Sequence, residues 1–323
     1  MCRSRTLSGV TSMVAAGIIL AILIIAVLVV SYVCYRMAFY SSKKRREGYS
    51  RLPEEEQYAP HRELMSSLFK ELAEIPFEEV RIKSHDGLTL FGRYYHYRDG
   101  APLEIEFHGY RGHAFRDFCG GNKLTRNSGS NILLVDQRAH GESGGHTITF
   151  GVKERFDCLS CCNYAVNRFG KDQKIILAGA SMGAATVLMA SDLPLPENVK
   201  GIIADSPYSS PKDIIKKICG QDMGIPANLA YPFIWLGASI FGGFNVNSAA
   251  AETSVKNAKV PLLIIHGTDD RYVPCSMSQS IYKNCPQGTE LLIMENAGHV
   301  LSFTTDPERY KNTVAEFKNK ILN

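Results

Sequence analysis

Excess positive charge is missing from most of this 323-residue chain, although the whole carries a net charge of +4. Seven basic residues (Arg3, Arg5, Arg36, Lys43, Lys44, Arg45, Arg46) fall within residues 1–46, which hold no acidic residue, leaving 29 basic against 32 acidic residues over 47–323. A nucleic-acid-binding body carries its positive charge on the folded part to neutralise phosphates, so a nucleic-acid partner is excluded. Disulfide pairing has no support either: nine cysteines are an odd number with no regular framework. Cys158, Cys161 and Cys162 cluster, but lack a second pair at zinc-ribbon spacing and fall in a helical stretch. They read as small buried hydrophobes in a reducing compartment. Disorder is excluded by 45% hydrophobic and 10% aromatic residues with only 21% charged. About 270 residues beyond the N-terminal region suffice for one large core of α/β type and of catalytic size.

Charge is absent altogether between Thr6 and Tyr35, and Met13 to Val30 is unbroken apolar sequence. About 20 such residues span the hydrocarbon layer as a helix. A cleaved signal peptide has a shorter apolar part, about 7–15 residues, ending at small residues, whereas this run ends in Tyr32, Cys34 and Tyr35. The expectation is a retained single-pass transmembrane helix over residues 10–35, with a basic flank at 1–9. Two arginines precede it and five basic residues come after, which by the positive-inside rule favours a cytoplasmic body. Lys43, Lys44, Arg45 and Arg46 are expected beside anionic headgroups, and the polar stretch 36–60, with two prolines, as a linker.

Beyond the linker, Leu64, Met65, Leu68, Phe69 and Leu72 recur at helical spacing and are expected to pack on the body. Phe77 to Ile82 and Leu88 to Tyr95, separated by Asp86-Gly87, read as a hairpin. Short apolar runs then alternate with helical segments: Leu103 to Phe107, Ile132 to Val135, Ile175 to Ala178, Gly201 to Ala204, Leu262 to Ile265 and Leu291 to Met294. Such runs indicate a parallel sheet covered on both faces. One interval breaks the rhythm. Residues 207–258 contain the uncharged Ile225 to Phe244, interrupted by Pro226, Pro232 and Gly242-Gly243. A second spanning helix there would tear the sheet apart, so an apolar lid is expected, with Tyr231, Phe233, Trp235 and Phe241 as substrate-facing residues.

Two pentapeptides match G-x-S-x-G, around Ser143 and Ser181. A nucleophile elbow needs a strand directly before and a helix directly after, because its sharp turn lifts the hydroxyl off the sheet edge. Ser181 has both, in KIILAG-ASMG-AATVLMAS, and Gly179, Gly183 and Ala184 allow the turn. Ser143 has neither and reads as a loop serine. A serine needs a histidine base held by a carboxylate, in the chain order Ser, acid, His. Only His266 and His299 come after Ser181. His266, directly after the strand PLLII, reads as a turn residue that shapes the acid's loop; His299, in the loop after the last strand, is the candidate base. The acid is Asp269 or Asp270, with Asp205 a lower-ranked rival. Two fixed N–H donors for an oxyanion are expected from Met182, directly after the nucleophile, and from Tyr110, after the strand LEIEF. His108 and His113 lack a third ligand for a metal, so no metal is expected and His108 reads as structural.

Together the His108-Gly109 turn, Asp136-Gln137-Arg138-Ala139-His140-Gly141-Glu142-Ser143, the elbow GASMG, His266-Gly267-Thr268-Asp269-Asp270-Arg271-Tyr272-Val273-Pro274 and Gly298-His299 resemble the α/β-hydrolase superfamily over about residues 77–321. The similarity is to membrane-anchored bacterial serine hydrolases grouped with prolyl-aminopeptidase-like and monoacylglycerol-lipase-like enzymes. It implies a mostly parallel eight-stranded sheet with helices on both faces and a small helical lid, in a domain over 61–323. It places the acid at Asp270, marks the Ser143 loop as non-nucleophilic, with Ala139 where a glycine is usual, and implies no cofactor. The expected activity is hydrolysis of a carboxylic ester, a small acyl-ester or lipid-like substrate, through an acyl-enzyme. A serine peptidase or acyl-protein thioesterase would use the same triad, and a non-catalytic membrane scaffold has no need of it.

Overall fold

The computed structural model describes residues 3–42, 46 and 54–323. Its centre is one eight-stranded sheet in the order β1-β2-β4-β3-β5-β6-β7-β8, with β1 Glu78–Lys83, β2 Thr89–Tyr95, β3 Leu103–Phe107, β4 Asn131–Asp136, β5 Ile175–Ala180, β6 Val199–Asp205, β7 Leu262–Gly267 and β8 Glu290–Met294. β1 and β2 form the antiparallel hairpin, closed where the Ser84 N–H donates to the Leu88 carbonyl and Gly87 adopts φ 87°. β2 is also antiparallel to β4, and the remaining pairs are parallel. β3, β4, β5 and β7 are buried along their whole length, because helices cover both faces and leave no solvated side to alternate toward.

The helices that matter for the site are α1 Arg3–Ala38, α2 Arg62–Glu74, α3 Cys119–Asn127, α4 Glu154–Phe169, α5 Met182–Ala190, α6 Pro211–Lys217, α7 Ala227–Phe241, α8 Cys275–Tyr282 and α9 Pro307–Leu322. α2 packs on the body through buried Leu68 and Leu72. The Cys158, Cys161 and Cys162 side chains are fully buried, unpaired core residues of α4. Because β3 lies between β4 and β5, the chain reverses direction across the sheet there, and the loops leaving β3 and β5 diverge to open a crevice at the carboxyl ends of the strands.

The stretch from Met13 to Ala38 in α1 is long and apolar enough to cross a bilayer. The residues directly after α1, expected as a linker, are docked on the body. Phe39 is fully buried, packed edge-on against Phe150 and Phe244 at 5.6 and 5.2 Å. Tyr40 bridges Thr147, the Ser41 N–H donates to the His146 carbonyl, and the Tyr35 and Thr147 hydroxyls share a hydrogen bond of 2.8 Å. Arg46, expected at headgroups, is also buried and donates to the carbonyls of Ser143 (2.7 Å) and Gly145. The reason is hydrophobic: burying one phenylalanine gains about 2–3 kcal/mol, and the backbone beyond Phe39 must then satisfy its polar groups against the body. Lys43, Lys44 and Arg45 lie outside the described residues, as do 1–2 and 47–53.

Candidate active site

Ser181 sits between β5 and α5 with φ 55° and ψ −114°, a backbone state costly for any residue with a Cβ. The turn survives because its neighbours leave no gap for relaxation. A Cβ on Gly183 would stand 1.7 Å from the Phe107 carbonyl oxygen, and one on Gly179 2.3 Å from the Gly183 backbone. Both positions therefore require glycine for close approach of β3, β5 and α5. Arg111, Ser206 and Val300 also hold positive φ around this crevice, so backbone strain is gathered at one edge of the sheet.

His299, in the loop after β8, joins the two other residues. Its Nε2 lies 2.9 Å from Ser181 Oγ and its Nδ1 2.6 Å from Asp270 Oδ2. Asp270 is fixed in turn: its Oδ1 accepts from the Tyr272 and Val273 N–H groups at 2.9 and 2.8 Å. Burial pushes the Asp270 carboxyl upward, but the facing His299 and the hydrogen bonds from His266 and His299 outweigh it and hold the group well below the usual carboxylate range. An ionised acceptor is thereby maintained beside the imidazole. His266 is buried between Ser278 Oγ (2.6 Å) and the Val273 carbonyl (2.8 Å), shaping the acid's loop. Asp269 takes the Thr268 hydroxyl at 2.9 Å and is exposed. Asp205 turns to the Ser206 hydroxyl at 2.9 Å and to Tyr310, on a separate cavity of about 90 Å³; burial raises its carboxyl to about 6.

The loop after β3 stands directly against the elbow, since a Cβ on Gly109 would reach within 3.3 Å of Ser181 Cβ. The Gln137 N–H donates to His108 Nε2 at 3.0 Å, so His108 Nδ1 carries the proton toward the Gly109 carbonyl at 2.8 Å. Both nitrogens are thus engaged, as expected of a structural histidine. Tyr110 lines the same cleft as Ser181, and Met182 opens α5, where its N–H has no intrahelical acceptor.

Sequence reasoning missed Asp117, whose Oδ2 accepts the Gly109 N–H at 2.8 Å. Burial alone would raise this carboxyl, but Arg116, 2.6 Å away, keeps it below its ordinary value. It missed Gln57 as well, whose side-chain oxygen accepts the His299 N–H at 3.3 Å. Neither lies in a motif; each reaches the site only through the tertiary fold.

The cleft above Ser181 measures about 400 Å³ and is walled by Tyr58, Tyr110, Phe150, Tyr208, Ile214 and Tyr272. Tyr231, Phe233, Trp235 and Phe241 are absent from this wall, which corrects the expectation for the lid. Only the first part of the 207–258 interval, with Tyr208, Ile214 and Ile218, covers the cleft. α7 lies instead against α1, where Phe241 meets the Tyr32 ring at 5.1 Å. The cause is Gly237: a Cβ there would stand 2.3 Å from the Ser31 carbonyl oxygen, so the absent side chain lets the two helices touch backbone to backbone. Ser143, the other pentapeptide serine, is buried; its Oγ accepts the Phe91 N–H at 2.8 Å and donates to the Asp136 carbonyl.

Sheet order, elbow and crevice define the α/β-hydrolase fold, and residues 107–235 match the α/β hydrolase fold family. In structure, the chain resembles the esterase Pf2001 of Pyrococcus furiosus, at 24% identity and TM-score 0.63 over 79% of this chain and 94% of that one. In sequence it is 28% identical to the uncharacterized protein YqkD of Bacillus subtilis over 58% of this chain and 62% of that protein. It is 27% identical to human protein ABHD12B over 58% of this chain and 50% of that protein. The match therefore spans less than two thirds of either relative's length.

Proposed function

We propose that the protein is a membrane-anchored serine hydrolase of carboxylic esters, with Ser181 as nucleophile, His299 as general base and acid, and Asp270 as the group that orients the imidazole. The observation that carries this reading is the position of His299, hydrogen-bonded to Ser181 Oγ at 2.9 Å and to Asp270 at 2.6 Å. In the reaction, Ser181 Oγ attacks the ester carbonyl while its proton passes to His299 Nε2. The Tyr110 and Met182 N–H groups receive the oxyanion, and the helix N-terminus at Met182 adds favourable potential. His299 then protonates the departing alkoxide, and a water deprotonated by the same nitrogen releases the acid from the acyl-enzyme. An apolar acyl group suits the cleft, whose wall is mostly aromatic and aliphatic, with Glu55, Arg111, Arg116 and Asp117 as its charged members.

Anchoring by α1, with the body on the cytoplasmic side, belongs to the same reading and rests on the apolar Met13–Ala38 stretch and its basic flank. Labelling with a fluorophosphonate probe tests the chemistry: wild type labels, whereas Ser181→Ala does not, and equal labelling of the two would overturn the assignment. Rates on matched ester, thioester and peptide substrates separate the reaction classes. Digestion of the body by protease added to intact cells would refute the cytoplasmic placement.

A further inference from the structure

α7 lacks the polar face that a helix on a water-exposed surface carries. Its fifteen residues include no charge, and its buried side consists of Ile234, Gly237 and Ala238, turned toward α1 and the body. On the outside stand Leu229, Pro232 and Ile240, with Leu229 65% and Ile240 51% exposed; Asn228, which accepts from Lys216, is the exposed polar residue at the start of the helix, and Met223 and Ile225 are exposed in the preceding loop. Trp235 is partly exposed beside them, its indole N–H donating to Asn245 at 3.1 Å.

Beside α7, on its buried side, stands the apolar helix α1. From Met13 the helix rises about 27 Å to Ser31, close to the ~30 Å of a hydrocarbon layer. The Gly237 contact at Ser31 therefore fixes α7 at the level where α1 leaves the layer. Aromatic rings gather at this contact: Tyr32 and Tyr35 of α1 lie 5.1 and 6.2 Å from the Phe241 ring, and Tyr231 and Trp235 belong to the same helix as Phe241, a composition found at membrane boundaries. Lys216 of α6 stands nearby, donating to Asn228 Oδ1 at 3.1 Å and lying over the Tyr231 ring.

We propose that the outer face of α7 is seated in the bilayer boundary beside the end of α1, so that the cleft takes water-insoluble esters from the lipid phase. The segment leading into α7 supplies Ile214 and Ile218 to the cleft wall, and Tyr110 ties that wall to the end of α1 by donating its hydroxyl hydrogen to the Ala38 carbonyl at 2.7 Å. This rests on α1 as the anchor and Ser181 as the nucleophile.

Trp235 is the chain's only tryptophan and reports directly. In full-length protein reconstituted into phosphatidylcholine vesicles, bromine on the acyl chains should quench its emission, and aqueous acrylamide should quench it weakly. Protein that floats with the vesicles yet shows the reverse pattern overturns the seating of α7 while leaving the anchor intact; protein that fails to float removes the anchor and the seating together. For the substrate class, Leu229→Glu with Ile240→Glu should slow hydrolysis of a long-chain ester embedded in vesicles by about tenfold, with a soluble short-chain ester unaffected. Equal rates of wild type and variant on the embedded ester would overturn it. Absence of fluorophosphonate labelling in wild type would instead strike the catalytic reading.

Discussion

Ser143 and Ser181 occupy the same pentapeptide pattern and have opposite surroundings. Around Ser143 the backbone consumes the hydroxyl: one N–H donates to it and one carbonyl accepts from it. Around Ser181 the backbone is strained, the flanking glycines are immovable, and the hydroxyl meets an imidazole rather than a peptide group. The pattern is thus a statement about turn shape. Reactivity depends on whether the turn leaves the oxygen with a partner that can take its proton.

The largest expected difference between the two serines is in turnover. Ser181→Ala should lower kcat by at least ~10³-fold with the thermal midpoint little changed, and Asp270→Asn by a comparable factor, because the imidazole loses its orienting acceptor. Steady-state ester hydrolysis measures both; a loss of only a few-fold on Ser181→Ala would remove the distinction. Next comes Asp117→Asn, which weakens the hold on the Gly109 N–H beside the oxyanion. It should reduce kcat about tenfold while leaving KM nearly constant, and an equal change in KM would make Asp117 a binding rather than a positioning residue.

Ser143→Ala acts on folding instead. It strands the Phe91 N–H in the interior, for a loss of about 1–3 kcal/mol of stability by denaturant titration, with the rate of fluorophosphonate labelling unchanged. Slower labelling of this variant would mean the loop serves catalysis after all. The smallest effect concerns Asp205. Its folded value near 6 lies above that of an unfolded aspartate, so its contribution favours the fold at low pH and is lost as pH rises through 6. Asp205→Asn does not titrate, and its stability relative to wild type should improve by about 1 kcal/mol between pH 5 and pH 8. Parallel stability curves across that range would show that Asp205 does not carry the shift.

Features written in consecutive residues were legible in the sequence. The strands appear as apolar runs such as Leu262 to Ile265, with ends displaced by at most two residues, because burial on both faces leaves an uninterrupted signal. The elbow was legible from strand, small residues and helix in succession. Asp270 could be separated from Asp269 only by resemblance, since adjacent carboxylates give the same local signal and the choice depends on which one the loop turns inward. Asp117 and Gln57 were illegible, being brought in by contacts across the fold. α7 was half legible: its apolarity pointed to a covering role, but the surface it meets is selected by Gly237 against Ser31, more than 200 residues apart. Phe39 was hidden by the polar run that begins two residues after it, which made a docked segment look like a tether.

That docking has a mechanical consequence. A catalytic unit on a slack tether samples many heights and tilts, and its reach is set by tether length. Here the chain enters the core within one residue of the end of α1, clamped by Phe39 from inside and Arg46 from outside. The height and tilt of Ser181 relative to the helix axis are therefore set by the docked Phe39 and Arg46 rather than by the length of a tether.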